Sequence, residues 1–228
     1  MIQNVTSWLH EHFSTLYKDT NFKFSIIALQ EIWNIPKNVN FSLPGYHDLC
    51  FKICDESGLN SSAGDGVTIW VDSSYDYEFL DDLSIFEPHV YESIFIKIKV
   101  PGKQDTILGN IYRPNTAPLA DLTKALEIHN SILQKIQSSA IYIKCDVTLC
   151  SDLNIDLLQF SQHNKGNQYL ESLLSASFLP IITNLTRIHK RSATLINHIF
   201  SNKKANHYDS GIIISHISDH FPVFYIEE

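Results

Sequence analysis

The sequence is poor in positive charge. Its 228 residues carry 17 Lys plus Arg against 25 Asp plus Glu, a formal net charge of −8. That balance excludes a protein that coats nucleic acid through bulk basic charge. Any nucleic-acid role must rest on a local site, with a metal ion supplying positive charge. No run approaches the about 18 apolar residues of a membrane span. The opening MIQNVTSWLHEH lacks the basic stretch and apolar core of a signal peptide. The four cysteines form two loose pairs, Cys50/Cys54 and Cys145/Cys150. Without a signal peptide they read as reduced thiols, and their spacing is a poor match to a structural zinc site. The sequons at Asn4, Asn40, Asn60 and Asn184 carry little meaning without secretion. The chain is expected inside the cell and off the membrane, with nucleus and cytoplasm both open. It has no repeat, low-complexity tract or convincing linker.

What is present is a core. Hydrophobic residues make up 44% of the chain and aromatics 11%, which excludes global disorder. The length fits one domain, residues 1–228. Residues 6–18 have helical apolar spacing, as do 119–136 and 167–178. Short apolar runs predict strands at 24–29, 66–71, 92–100, 105–112, 140–144 (AIYIK), 211–215 and 221–226. Within 92–100, Ile94, Ile96, Ile98 and Val100 face one way, and Lys97 and Lys99 the other. Leu43-Pro44-Gly45 marks a turn. Strands outnumber helices, and several are continuous apolar runs. That pattern suits sheets buried beneath helices, a layered α/β sandwich.

Polar residues end these strands in a recurring way. Glu31 follows the first. Tyr112 and Arg113 end the 105–112 run. Asp146, or Asp152 with Asn154, follows AIYIK. Asp219 and His220 sit between the last two strands. Carboxylates and a histidine gathered at strand ends can hold a hard divalent cation and move protons. Each alone is weak, because a Glu after a strand is usually a solvated loop residue.

The set in this order resembles the endonuclease/exonuclease/phosphatase superfamily. It is most similar to the apurinic-type endonuclease domain of non-LTR (LINE-like) retrotransposons. The segments that carry the resemblance are IIALQEIW (26–33), GDGVTIWV (64–71), ILGNIYRP (107–114), SDLNIDLL (151–158), TRI with SATLINHIF (186–200) and SDHFPVF (218–224). The resemblance implies a four-layered α/β sandwich, two packed mixed sheets flanked by helices. It also implies a Mg²⁺-dependent phosphodiesterase, with Mn²⁺ as a substitute, acting on DNA. Glu31 matches the metal-binding Glu, and Tyr112 the Tyr that contacts the scissile phosphate. Asp152 and Asn154 match the family's GDxN motif, Asp219 and His220 its closing Asp-His, and Asn4 its first active-site Asn. On this reading Asp152 orients or deprotonates the attacking water, protonated His220 stabilises developing charge, and Asn154 and Asn4 fix geometry. Glu31, Asn154, Asp219 and His220 should converge on one site.

Three departures stand out. The chain opens almost at Asn4, so the first strand is expected to be truncated. CDVTLCSDLN separates AIYIK from Asn154 as though residues were inserted. Asp152 is favoured over Asp146 as the family's Asp, and residues 147–151 are then expected to bulge out as a loop. Finally, Asn197 stands where the resemblance places the Asp that pairs with the closing His. Less negative charge there means a smaller imidazolium fraction on His220.

Three functions follow. One is an endonuclease that nicks DNA. Another is a decayed or co-opted retrotransposon domain that binds nucleic acid or a partner and cleaves poorly. A third keeps the chemistry with a phosphoinositide, sphingomyelin or RNA-tail substrate, and SATLI and IDLL argue against it. No reverse-transcriptase segment follows residue 228, so the chain is expected to be an isolated domain or an incomplete copy.

Overall fold

The computed structural model describes residues 23–32, 43–47, 50–52, 66–100, 102–114, 119–162, 164–204, 207–214 and 218–227. The helix expected over 6–18, Asn4 and the opening strand lie outside the described residues. Seven strands come first: β1 (Ile26–Gln30), β2 (Cys50–Lys52), β3 (Val67–Val71), β4 (Asp76–Phe79), β5 (Phe86–Glu87), β6 (Tyr91–Lys99) and β7 (Thr106–Tyr112). The long helix α1 (Leu119–Ser138) follows. A 3₁₀ turn (Tyr142–Lys144) leads into β8 (Asp146–Asp152). A second 3₁₀ segment (Leu157–Gln162), α2 (Asn164–Ser175) and β9 (Leu179–Pro180) come next. The chain then forms β10 (Arg187–His189), β11 (Ser192–Thr194), β12 (Asn197–Ser201), β13 (Tyr208–Ile212) and β14 (Val223–Glu227).

Two sheets face each other. The smaller has the order β1-β3-β2 and is antiparallel throughout. The larger runs β4-β6-β7-β8-β12-β9, with β5 also on β6. Among the described residues its single parallel pair is β7–β8, because α1 carries the chain back to the start of the sheet, as a parallel crossover requires. Both sheets were expected to be mixed; among the described residues only the larger is. The apolar row foreseen in β6 packs between the sheets. Ile94, Ile96 and Ile98 meet Val67, Ile69 and Val71 there, with Leu108 and Tyr112. The other face of the larger sheet is covered by α1 and α2, through Ala125, Leu126, Ile132, Leu133, Ile136 and Leu173. Trp70 alternates to the outer face of the smaller sheet, against Ile27 and Leu43. Layers of helix, sheet and sheet are thus in place.

AIYIK is not a strand. Ile141 and Ile143 are 62% and 64% exposed. The Ser139 hydroxyl accepts the Ile141 and Tyr142 N–H groups after α1 ends, which bends the chain into a 3₁₀ turn. The strand is DVTLCSD, whose Val147 and Leu149 reach the core. Asp152 ends this strand directly, and residues 147–151 are ladder, not the expected bulge. The last two strands form a hairpin with each other, shifted from the expected 211–215 and 221–226 to 208–212 and 223–227.

Candidate active site

Four strand termini meet at one end of the sandwich: the ends of β1, β7 and β8 and the start of β12. Register alone aligns three side chains, since Asp152 is the Cα partner of both Tyr112 and Asn197. Beneath them, buried Asn110 joins the two sheets. Its Nδ2 donates to Leu29 O at 2.8 Å and Thr68 O at 2.9 Å, and its Oδ1 accepts from Gln30 Nε2. Glu31 therefore leaves a strand end that is tied to β7.

The Tyr112 hydroxyl donates to Glu31 Oε1 at 2.9 Å. Burial, then the Glu31 charge and that hydrogen bond, raise the Tyr112 pKa far above the ordinary phenol value, so it stays a donor. Glu31 sits at φ 57 and Asn154 at φ 53. Left-handed backbone at residues other than glycine costs free energy and clusters at functional sites. The Asn154 turn is strapped to β7. Asn154 Nδ2 donates to Arg113 O at 2.9 Å, and Arg113 Nε donates to Leu153 O at 2.8 Å.

Asp152 is 3% exposed and its Oδ1 accepts the Asn154 N–H at 3.1 Å. Burial pushes its pKa up to about 7, with the negative Glu31 adding to the rise. The Asn154 N–H and the Arg187 and Arg113 charges act the other way. His220 Nδ1 lies 3.5 Å from Asp152 Oδ2 and 2.9 Å from Asn197 Oδ1. Burial and then the Arg187 charge lower the His220 pKa, against the pull of Asp219 and Glu31. Thr186, wholly buried, accepts the N–H groups of Ile196 and Asn197 on its Oγ1 and so fixes the start of β12.

The contacts bring Glu31, Tyr112, Asp152, Asn154, Asn197 and His220 together. Asp219 is beside them, but its carboxylate turns to Arg187 Nε (2.8 Å) and His189 Nδ1 (3.1 Å). Burial raises its pKa, and the Arg187 bond and charge outweigh that and lower it. Asp146 begins β8, about 20 Å from Asp152 at the usual strand rise, and faces Lys203 at 3.7 Å. Cys145 and Cys150 are free thiols. The reading of the sequence did not single out Arg187, Thr186 or Glu92. Glu92 had a signal: a charged residue in phase with the Ile94, Ile96, Ile98 row. Asp156 explains the pairing of two motifs, since its Oδ1 accepts the Leu158 and Leu195 N–H groups and ties IDLL to SATLI.

Among the described residues no three His, Cys, Asp or Glu are grouped to hold a metal by themselves. The donor set still fits Mg²⁺, which takes one or two carboxylates, keeps waters and shares substrate phosphate oxygens. Glu31 supplies such a carboxylate, held at one oxygen by Tyr112.

The chain has the endonuclease/exonuclease/phosphatase fold. It superposes on the endonuclease domain of TRAS1, a telomere-specific non-LTR retrotransposon, with TM-score 0.65 and 12% identity, over 96% of this chain and 91% of that one. The AP endonuclease LMAP from Leishmania major gives TM-score 0.71 and 10% identity, over 100% and 85%. An endonuclease/exonuclease/phosphatase family protein from Leptotrichia buccalis gives 0.58 and 17%, over 99% and 97%. No protein-family model matches the sequence, and no curated protein sequence does. Among the described residues no helix is long and apolar enough to cross a membrane.

Proposed function

We propose that the chain is a divalent-metal-dependent phosphodiesterase of retrotransposon origin that nicks DNA. The observation that supports it best is the gathering of Glu31, Tyr112, Asp152, Asn154 and His220 at one end of the sandwich. Hydrolysis joins a water oxygen to phosphorus and breaks the phosphorus–oxygen bond to the leaving strand. The water loses a proton, charge builds on the non-bridging oxygens, and the departing oxygen takes up a proton from solvent water. A Mg²⁺ or Mn²⁺ held by Glu31 would draw off part of that charge. Asp152 takes the water's proton; a carboxyl that titrates near 7 is well matched to that task. The Tyr112 hydroxyl, whose one proton goes to Glu31 in the free protein, would turn to the phosphate once a metal occupied Glu31, and Asn154 holds Asp152 by its backbone N–H. His220 takes up a proton when an anionic phosphate enters, since a nearby negative charge raises its pKa.

The nucleic-acid substrate is favoured by local charge. The exposed β10–β11 hairpin beside Asp219 carries His189, Lys190 and Arg191 on a chain of net charge −8. Supercoiled plasmid tests the proposal. Nicking in Mg²⁺ that stops in EDTA is the expected result. Metal-independent binding without nicking would favour the second reading, a co-opted binding module, for which Asn197 in place of a carboxylate is the specific observation.

A further inference from the structure

Glu92 is a wholly buried carboxylate that no step above uses. It opens the row Glu92, Ile94, Ile96, Ile98 on the face of β6 that meets the smaller sheet. An apolar residue would fill that position at less desolvation cost. Its surroundings say what it does. Glu92 Oε2 accepts the Gly66 N–H at 2.7 Å. Gly66 O accepts the N–H of Ile32, the residue after Glu31, at 3.3 Å. On the other side, Glu92 is the direct cross-strand partner of Tyr112, whose hydroxyl donates to Glu31. These links form a closed circuit: Glu31, Tyr112, Glu92, Gly66, Ile32 and back to Glu31. Gly66 has φ +115, and a Cβ there would lie 2.7 Å from Ile32 Cγ1. The backbone approach at this point is therefore close, and Glu92 is the side chain that holds it.

We propose that Glu92 is a positioning residue: by accepting the Gly66 N–H it fixes the Gly66–Ile32 contact and so aims Glu31. This rests on the reading of Glu31 as the metal-binding residue. The inter-sheet position matters because, among the described residues, the Glu31 side chain is held by Tyr112 and follows a strand end into left-handed backbone. Residues that orient a metal ligand typically change metal affinity about 10–100-fold when altered.

The test uses Mn²⁺ as the probe, with binding followed by loss of the free-ion electron paramagnetic resonance signal. Three variants separate the roles. Glu92→Met keeps side-chain length without an acceptor. Glu92→Asp keeps the carboxyl group but withdraws it from Gly66. Glu92→Gln keeps an acceptor oxygen at full reach. Met and Asp are expected to weaken Mn²⁺ binding by about tenfold or more, with Gln close to the original protein. Amide exchange at Gly66 and Ile32, measured without metal, should quicken in the Met and Asp variants and not in Gln. Wild-type Mn²⁺ affinity and unchanged exchange in Glu92→Met, or affinity kept in Asp and lost in Gln, would overturn the proposal. If the original protein shows no Mn²⁺ site that depends on Glu31, the metal-site reading fails. The exchange at Gly66 and Ile32 then still decides the role of Glu92.

Discussion

His220 Nδ1 lies 2.9 Å from Asn197 Oδ1. Asn197 thus keeps the ring's orientation, since its carbonyl oxygen can accept an Nδ1–H. It adds no negative charge, and burial first and then Arg187 lower the His220 pKa against the pull of Asp219 and Glu31. Base and acid are therefore set in an unfavourable order. Asp152 titrates near 7, while His220 loses its proton below its ordinary value of about 6.5.

We predict that Asn197→Asp increases nicking, most at the upper end of roughly pH 6 to 8. An opposite charge at hydrogen-bond distance raises a His pKa by about 1–3 units. Near pH 6 Asp152 is protonated, and a gain at His220 has little to act on. Initial nicking rates of the two proteins across this range check it. Equal rates at every pH would remove the coupling.

Asp152→Asn should stabilise the fold while abolishing nicking. The Asp152 pKa is raised from 3.8 to about 7 in the folded chain. The folded state thus binds the proton more tightly than the unfolded one. Its contribution is fully present below about pH 4 and is lost as pH rises through 7. At about 1.4 kcal/mol per pH unit the ceiling on the gain at pH 8 is roughly 4 kcal/mol. Thermal melts should show a Tm higher by roughly 5–10 °C at pH 8 and unchanged near pH 4. A lower Tm at pH 8 would contradict it.

Acid should loosen the core by the opposite sign. His129 and His198 are buried, and burial lowers both pKa values to about 4. His129 meets the Tyr91 hydroxyl at 3.1 Å and the Tyr169 ring, and His198 meets Leu195 O at 3.0 Å, with the Asp156 charge nearby. The unfolded chain takes up these protons below about pH 6.5 and the folded chain only near 4. Stability is full above 6.5 and falls toward 4, by at most about 3 kcal/mol per histidine. Melts of the Asp152→Asn protein isolate this term. Adding His129→Gln and His198→Gln should flatten the slope of Tm against pH between 6.5 and 4.5; an unchanged slope would assign the acid lability elsewhere.

Gly66→Ala should impair nicking without touching a reacting group. The added Cβ meets Ile32 Cγ1 at 2.7 Å, at a φ of +115. A strained residue of this kind costs about 1–3 kcal/mol, and Ile32 follows Glu31. Melting and nicking measured together check it: a lower Tm and a higher Mg²⁺ requirement are expected, and an unaltered Mg²⁺ requirement would contradict it.

Glu31 and Tyr112 were legible because each closes an apolar run, and β-sheet registry brings such ends together. His220 ends no strand, and its place came from its order in SDHFPVF. The route from α1 to Asp152 was not legible. AIYIK has strand-like composition, but its short run cannot be told from a surface turn by periodicity, and Ser139 captures the N–H groups that a strand would use. DVTLCSD looked like an insertion because its polar ends hide the buried Val147 and Leu149. Glu92 and Thr186 were overlooked because their roles lie in contacts across 26 and 10–11 residues, between Glu92 and Gly66 and between Thr186 and Ile196 or Asn197.

A single metal-dependent site organised around Glu31 is tested by the rate of supercoiled-plasmid nicking in Mg²⁺ by the original protein and by a folded Glu31→Ala variant. The original protein is expected to nick, and the variant to lose at least about 100-fold, of the order seen when a group stabilising transition-state charge is removed. Equal rates in the two proteins, or nicking that persists in EDTA, would contradict it.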